Sequence, residues 1–143
     1  DGTLFALMRN GNIASIGRAL ESVSSDRGRT WTLLVGSALP NPGAALEMTR
    51  LRSGAVIAVF NNSPTARLPL SVALSDDEGR TWSAVADVVA SCDGGECSYP
   101  SIAADPTDDA AWITYTHARR SIGWVRVEEA WIRTRDGTLA TPQ

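Results

Sequence analysis

Arginine recurs at three comparable places in this 143-residue chain. Met8-Arg9-Asn10, Asn61-Asn62 with Arg67, and His117 with Arg119-Arg120 each follow a short, largely apolar run. A guanidinium presents a planar fork of donors that matches a carboxylate with two parallel hydrogen bonds. Three forks at equivalent strand ends predict a shared rim that grips an anionic group; scattered, solvated loop charges are the competing reading. Glu47 interrupts the otherwise apolar start of ALEMTRL. There it is read either as an acid or base facing a channel or as a water-exposed strand carboxylate. Glu96 and Tyr99 supply another pair, since a carboxylate can help deprotonate a phenol of high pKa. Their three-residue spacing places them on opposite faces of a regular strand, which favours a wall role over a shared one. His117, the only histidine, is a candidate base or proton shuttle, or an ordinary loop imidazole.

The elements that must position these groups read as short strands. Apolar and polar residues alternate over brief segments bounded by Gly, Pro, Asn, Asp and Ser, and no window sustains an amphipathic helical period. Segments 3–9, 13–23 and 32–35 are expected strands of a first block, with Asn10-Gly11-Asn12 as a hairpin signal. Segments 44–51, 55–61, 70–75 and 82–89 form a second block. Segments 98–104, 111–116 and 122–127 form a third, with 128–132 a continuation of its last strand.

One eight-residue pattern occurs twice. Residues 24–31 read SSDRGRTW and residues 75–82 read SDDEGRTW, an offset of 51. Self-similarity at such a period marks repeat architectures, β-propeller blades among them. The chemistry of the pattern is that of a turn. Gly28 and Gly79 suit a positive φ. The carboxylates of Asp26 and Asp77 can accept N–H groups of their own turn, and Ser24, Thr30, Ser75 and Thr81 can tie further backbone groups. Trp31 and Trp82 are expected to begin the outer strand and offer an apolar face for packing. The expected fold is therefore all-β: part of a β-propeller with four-stranded antiparallel blades. The portions are approximately 1–40, 41–92 and 93–135, followed by a frayed tail at 136–143. Propellers carry about 4–8 blades, and an unclosed ring exposes strand edges. The chain is thus expected to belong to a larger propeller or to close by association, and its start at Asp1 agrees with a fragment or processed chain.

Composition narrows the function classes. A net charge of −3 gives no basic footprint for nucleic acid. No stretch approaches the length needed to cross a bilayer. All 13 basic residues are arginine, which fits either carboxylate recognition or the drift of a GC-rich genome. Cys92 and Cys97, in SCDGGEC, are either a bridged surface loop, suiting a secreted or periplasmic setting, or two free thiols. The C-x-x-C spacing of a zinc site is absent and the histidine is distant in sequence, so no metal or cofactor is expected.

The two eight-residue patterns resemble the Asp-boxes, or BNR repeats, of the sialidase (neuraminidase) superfamily. Leu39-Pro40-Asn41-Pro42-Gly43, AVIAVFNN, Arg67-Leu68-Pro69-Leu70, Glu96-Cys97-Ser98-Tyr99-Pro100 and Ile113-Thr114-Tyr115-Thr116 extend the resemblance over nearly the whole chain. The resemblance implies a six-bladed propeller with its site on the central axis and Asp-boxes on the outer rim. It also implies retaining exo-glycosidase chemistry with a Tyr nucleophile, an Asp acid/base and three arginines on a sialate carboxylate; sialidases are the Tyr exception among glycosidases. The family's early Arg-Ile-Pro motif has no counterpart here, and the blades that carry its nucleophilic Tyr lie outside the chain. On this basis Arg9, Arg67, Glu96, Tyr99, Asn41 and Asn62 are expected to contact an acidic glycan, the two amides through sugar hydroxyls. Glu47, His117 and Tyr115 are the candidate catalytic groups. Sialidase-like hydrolysis is the leading expectation. A lyase of the same superfamily acting on uronate glycans, with His117 or Tyr115 as base, is the second. A noncatalytic glycan- or protein-binding module is the third.

Overall fold

A computed structural model describes residues 2–11 and 17–141. Among them, ten strands form three antiparallel sheets, each a meander of chain neighbours. The first sheet holds β1 (Leu4–Met8), β2 (Arg18–Ser24) and β3 (Val35–Pro40). The second holds β4 (Glu47–Arg50), β5 (Val56–Asn61), β6 (Leu70–Ser75) and β7 (Ser83–Val89). The third holds β8 (Cys97–Ala104), β9 (Ala110–His117) and β10 (Ser121–Glu128).

The second sheet is the middle layer, and its sequence shows why. Every residue of β5 (VIAVFN) and β6 (LSVALS) is buried. A continuous apolar run suits a strand covered on both faces. Ala58, Phe60, Ala73 and Val85 meet Ala19 and Leu39 of the first sheet. Ile57, Val59, Val72 and Leu74 pack with Ala111, Ile113 and Val127 of the third. Each fully buried Val, Leu, Ile or Phe contributes about 1.5–3 kcal/mol relative to exposure. The third sheet alternates instead. Ala111 and Ile113 point inward, while Trp112 and Trp124 stand on its open face with ring centroids 5.5 Å apart.

The repeated turns join β2 to β3 and β6 to β7. Ser24 Oγ donates to Asp26 Oδ1 at 2.8 Å and accepts the Gly28 N–H at 2.8 Å. Asp26 accepts the Thr30 N–H at 2.8 Å and the Thr30 hydroxyl at 2.7 Å. Ser75, Asp77, Gly79 and Thr81 reproduce the same bonds at the same distances. Gly28 and Gly79 take φ of 85° and 86°. Hydrogen bonds from Thr30 and then Ser24 hold the Asp26 carboxyl down to about 2, and those from Thr81 and then Ser75 do the same for Asp77.

Several expectations require correction. The tryptophans precede the outer strands rather than begin them: β3 starts only at Val35, and β7 at Ser83. Trp31 is 45% exposed and its indole N–H turns back to the Gly28 carbonyl at 3.2 Å, whereas Trp82 is half-buried against the core shared by the first two sheets. The segment after β10 is not more strand but a short helix, α1 (Glu129–Arg133). The pairing partner runs out at Glu128↔Ala110, and the Glu129 N–H takes the Asp109 carbonyl as a last rung. Beyond it a helix satisfies backbone groups internally, aided by an Arg133–Glu129 pair and the fully buried Ile132. Within the segment read as frayed, residues 137–140 are tied down. Gly137 bridges to Val85, and Asn62 donates to the Thr138 carbonyl and accepts the Ala140 N–H. A Cβ at Gly137 would sit 2.3 Å from the Val85 carbonyl oxygen, so only glycine fits. Most of the Asn10-Gly11-Asn12 turn's far side, residues 12–16, lies outside the described residues.

Candidate functional site

Antiparallel meanders sort the loops by end. The Asp-box turns, the β4–β5 turn and the β8–β9 turn share one end. The β1–β2, β5–β6 and β9–β10 connections, which carry Arg9, Arg67 and Arg119, share the other. Bonds to backbone carbonyls fix this second end. The Cys97 N–H donates to the Arg67 carbonyl at 3.2 Å, the Ala118 N–H to the Glu96 carbonyl at 2.9 Å, and Asn61 Nδ2 to the Cys97 carbonyl at 2.9 Å. Cys92 and Cys97 are joined as a disulfide, which closes the loop that presents Glu96.

Glu96 is the hub. Its Oε1 accepts Arg67 Nη1 at 2.8 Å and Ser98 Oγ at 2.6 Å, and its Oε2 accepts Arg119 Nε at 2.9 Å. The Ser98 hydroxyl first, then Arg119 and Arg67, hold the carboxyl down to about 2. Such a group stays ionised across the physiological range, so it is neither a general acid nor an effective base. It is a fixed anion that positions two guanidiniums. Arg119 remains 65% exposed, with donors free for solvent or ligand.

Tyr99 joins this group against the strand-face expectation. Its φ is +50°, and the β8–β9 ladder shifts register between Ser98 and Ser101. A left-handed residue in a bulge breaks the two-residue alternation that separated Tyr99 from Glu96. For a bulky side chain this conformation is an outlier of the kind that clusters at functional sites. The Arg67 guanidinium lies 5.2 Å from the Tyr99 ring centroid. Arg67, then Arg119 and Arg9, hold the phenol below its usual value. Tyr99 is 48% exposed, so its hydroxyl is within reach of a ligand. Two guanidiniums share the one Glu96 carboxylate, and Arg9 is near enough to act on the phenol through its charge. The arrangement suits holding a carboxylate beside an acidified phenol.

The other candidates are placed elsewhere or already engaged. Asn41 is buried at 1% exposure; its amide bonds the Ala44 carbonyl and the Gly43 N–H, bracing the β3–β4 turn. Both ends of the Asn62 amide clamp the C-terminal segment. Each amide thus already donates to one backbone carbonyl and accepts one backbone N–H. Glu47 accepts the Ile102 N–H at 3.0 Å, stitching β4 to β8. Tyr115 lies over Gly123 on the neighbouring strand, filling the space a Cβ would occupy there. His117 ends β9 directly opposite Cys97. Sequence reasoning missed Ser98, whose signal would have been its alternation with Glu96. It also missed Asp105, which accepts Thr107 N–H and hydroxyl, Trp112 Nε1 and Arg126 Nε; these bonds, those of Thr107 foremost, push its carboxyl well below the usual range.

Comparison with known proteins agrees with this architecture. A model of the BNR repeat-like domain matches residues 1–111. The chain belongs to that family, and its fold is that of the sialidase superfamily. The Hadza microbial sialidase Hz136 is similar in structure (TM-score 0.69, 21% identity, 91% of this chain and 26% of that one). So is the intramolecular trans-sialidase from Ruminococcus gnavus, solved with oseltamivir carboxylate (TM-score 0.66, 15% identity, 94% and 32%). A Dyadobacter fermentans protein of unknown function is a third (TM-score 0.58, 16% identity, 93% and 37%). The chain thus spans between 26% and 37% of the lengths of these structures. No curated protein matches by sequence.

Proposed function

We propose that this chain forms part of a sialidase-type propeller in which Arg9, Arg67 and Arg119 bind the carboxylate of an acidic sugar beside Tyr99. The carrying observation is the convergence of Arg67 and Arg119 on the single carboxylate of Glu96, with the phenol alongside. The three sheets are then successive blades of a ring completed by further chain or by other copies. The activity of the completed protein is glycoside hydrolysis of the exo-α-sialidase type. The acidified Tyr99 equally suits proton abstraction, which gives the uronate lyase as second reading; His117 is retained there as an alternative base, while Tyr115 is engaged over Gly123.

The test is calorimetric titration of the chain with sialic acid and with its methyl ester. Binding of the acid, weakened by salt and at least about tenfold by Arg119→Ala, supports the reading; one charge-assisted hydrogen bond of about 1.5–3 kcal/mol is enough for that factor. Equal binding of acid and ester removes it. In a longer form of the protein, release of free sialic acid selects the hydrolase, and an unsaturated, ultraviolet-absorbing uronate selects the lyase.

A further inference from the structure

We propose that Cys92, Cys97 and His117, once the disulfide is reduced, form a binding site for a soft divalent cation such as zinc. The ligand atoms of the three residues lie within 4.8 Å of one another. In a tetrahedral zinc site, metal bonds of about 2.3 Å to sulfur and 2.0–2.1 Å to nitrogen set ligand separations of roughly 3.5–3.8 Å. Reduction frees the two cysteine side chains to rotate toward that range. Four residues separate the two cysteines, within the spacing of structural zinc pairs. The histidine that sequence distance seemed to exclude is brought opposite Cys97 by the β8–β9 ladder.

The backbone holding these ligands does not depend on the disulfide. Cys97 is held by its N–H to Arg67 and its carbonyl to Asn61, and Cys92 by the turn in which it accepts the Gly95 N–H at 2.9 Å. His117 is held by strand pairing and by the Arg120 N–H on its carbonyl. A disulfide closing so short a loop contributes about 2 kcal/mol through the unfolded chain, less than one closing a long loop, and the backbone bonds above hold the site when it is reduced. Charge balance favours the cation too. Two thiolates cancel its charge and the neutral imidazole adds none, while the nearby Glu96 carboxylate is already committed to Arg67, Arg119 and Ser98. Water supplies the fourth ligand.

The chemistry is two steps. A trialkylphosphine and one water reduce the disulfide to two thiols, and the phosphorus leaves as phosphine oxide. Metal binding then releases the two thiol protons. The test is titration of the phosphine-reduced chain with cobalt(II), followed by zinc. One equivalent of cobalt should bind with a thiolate-to-cobalt charge-transfer band, and zinc should abolish that band. The oxidised chain should show none, Cys92→Ser should lose the band, and His117→Gln should weaken binding at least tenfold. Circular dichroism of each sample reports folding. Loss of fold on reduction, an equal response from oxidised chain, or indifference to His117→Gln overturns the proposal. The readout is metal binding, so it stands or falls separately from the carboxylate site.

Discussion

At one end of the sheet stack, residues 24–31 and 75–82 build the same turn from the same five side-chain hydrogen bonds. At the other end, the loops after β1, β5 and β9 differ in length and content, and only two of their arginines meet, on a glutamate from a fourth segment. The Asp-box end is local: each turn satisfies itself and tolerates different surroundings, an exposed Trp31 in one copy and a half-buried Trp82 in the other. The arginine end is non-local: both ion pairs on Glu96 cross between segments. Repetition carries the architecture, and the departures from repetition carry the candidate chemistry.

Four measurements test that division, beginning with the largest effect. Gly79→Ala should destabilise by about 3 kcal/mol, combining left-handed strain with overpacking, because its Cβ would lie 2.8 Å from Phe5 of the first sheet. Gly28→Ala, whose Cβ meets the end of Leu4 at 3.3 Å, should cost about 1–2 kcal/mol, mostly strain. Denaturant melts read both, and equal losses would mean the two boxes are packed alike. Next, Trp82→Ala should cost about 2 kcal/mol and Trp31→Ala under about 1 kcal/mol, following their burial. A reversed order would break the claim that the box is indifferent to its tryptophan's surroundings.

Acid stability comes third. Asp26 and Asp77 have folded values of about 2, below the usual 3.8. Groups depressed on folding contribute stability present above the unfolded value and lost as pH falls through the folded one. Stability should therefore decline from about pH 4 toward pH 2. The double variant Asp26→Asn, Asp77→Asn should be less stable at neutral pH with a flatter acid limb; an unchanged limb would place the acid sensitivity elsewhere, with Asp105 and Glu96 the alternatives. The smallest effect belongs to the arginine end. Arg67→Ala should raise the Tyr99 phenol toward its ordinary value with little change in the melt, read by ultraviolet phenolate titration against Tyr99→Phe. A large loss of stability there would erase the distinction between the two ends.

The sequence made the Asp-box end legible because its residues act within eight positions of one another. The buried strands of the second sheet were legible for a similar reason, as AVIAVFN and LSVALS carry their burial in composition. The arginine end was legible only as a set of names. The strand rule separated Glu96 from Tyr99, and it failed because one left-handed residue before Pro100 shifts the register. Asn41 and Asn62 read as ligand amides, and the structure adds bonds from both to backbone groups of a turn and of a distant segment, partners that no local pattern announces. The helix Glu129–Arg133 arises because a neighbouring strand ends, a fact held at residue 110 rather than at residue 129. Whether the cysteines were bridged depended on side-chain directions that the spacing left open.

Among the described residues, each strand pairs only with the strand before or after it in the chain. That has a kinetic consequence. Hydrogen-bonded pairing closes over short loops and finishes sheet by sheet, so the slow part of folding is the docking of finished sheets through side chains. During synthesis the first sheet can complete its ladders before the residues of the third have been made. The middle sheet, dry on both faces, is then the piece that must wait for company on each side.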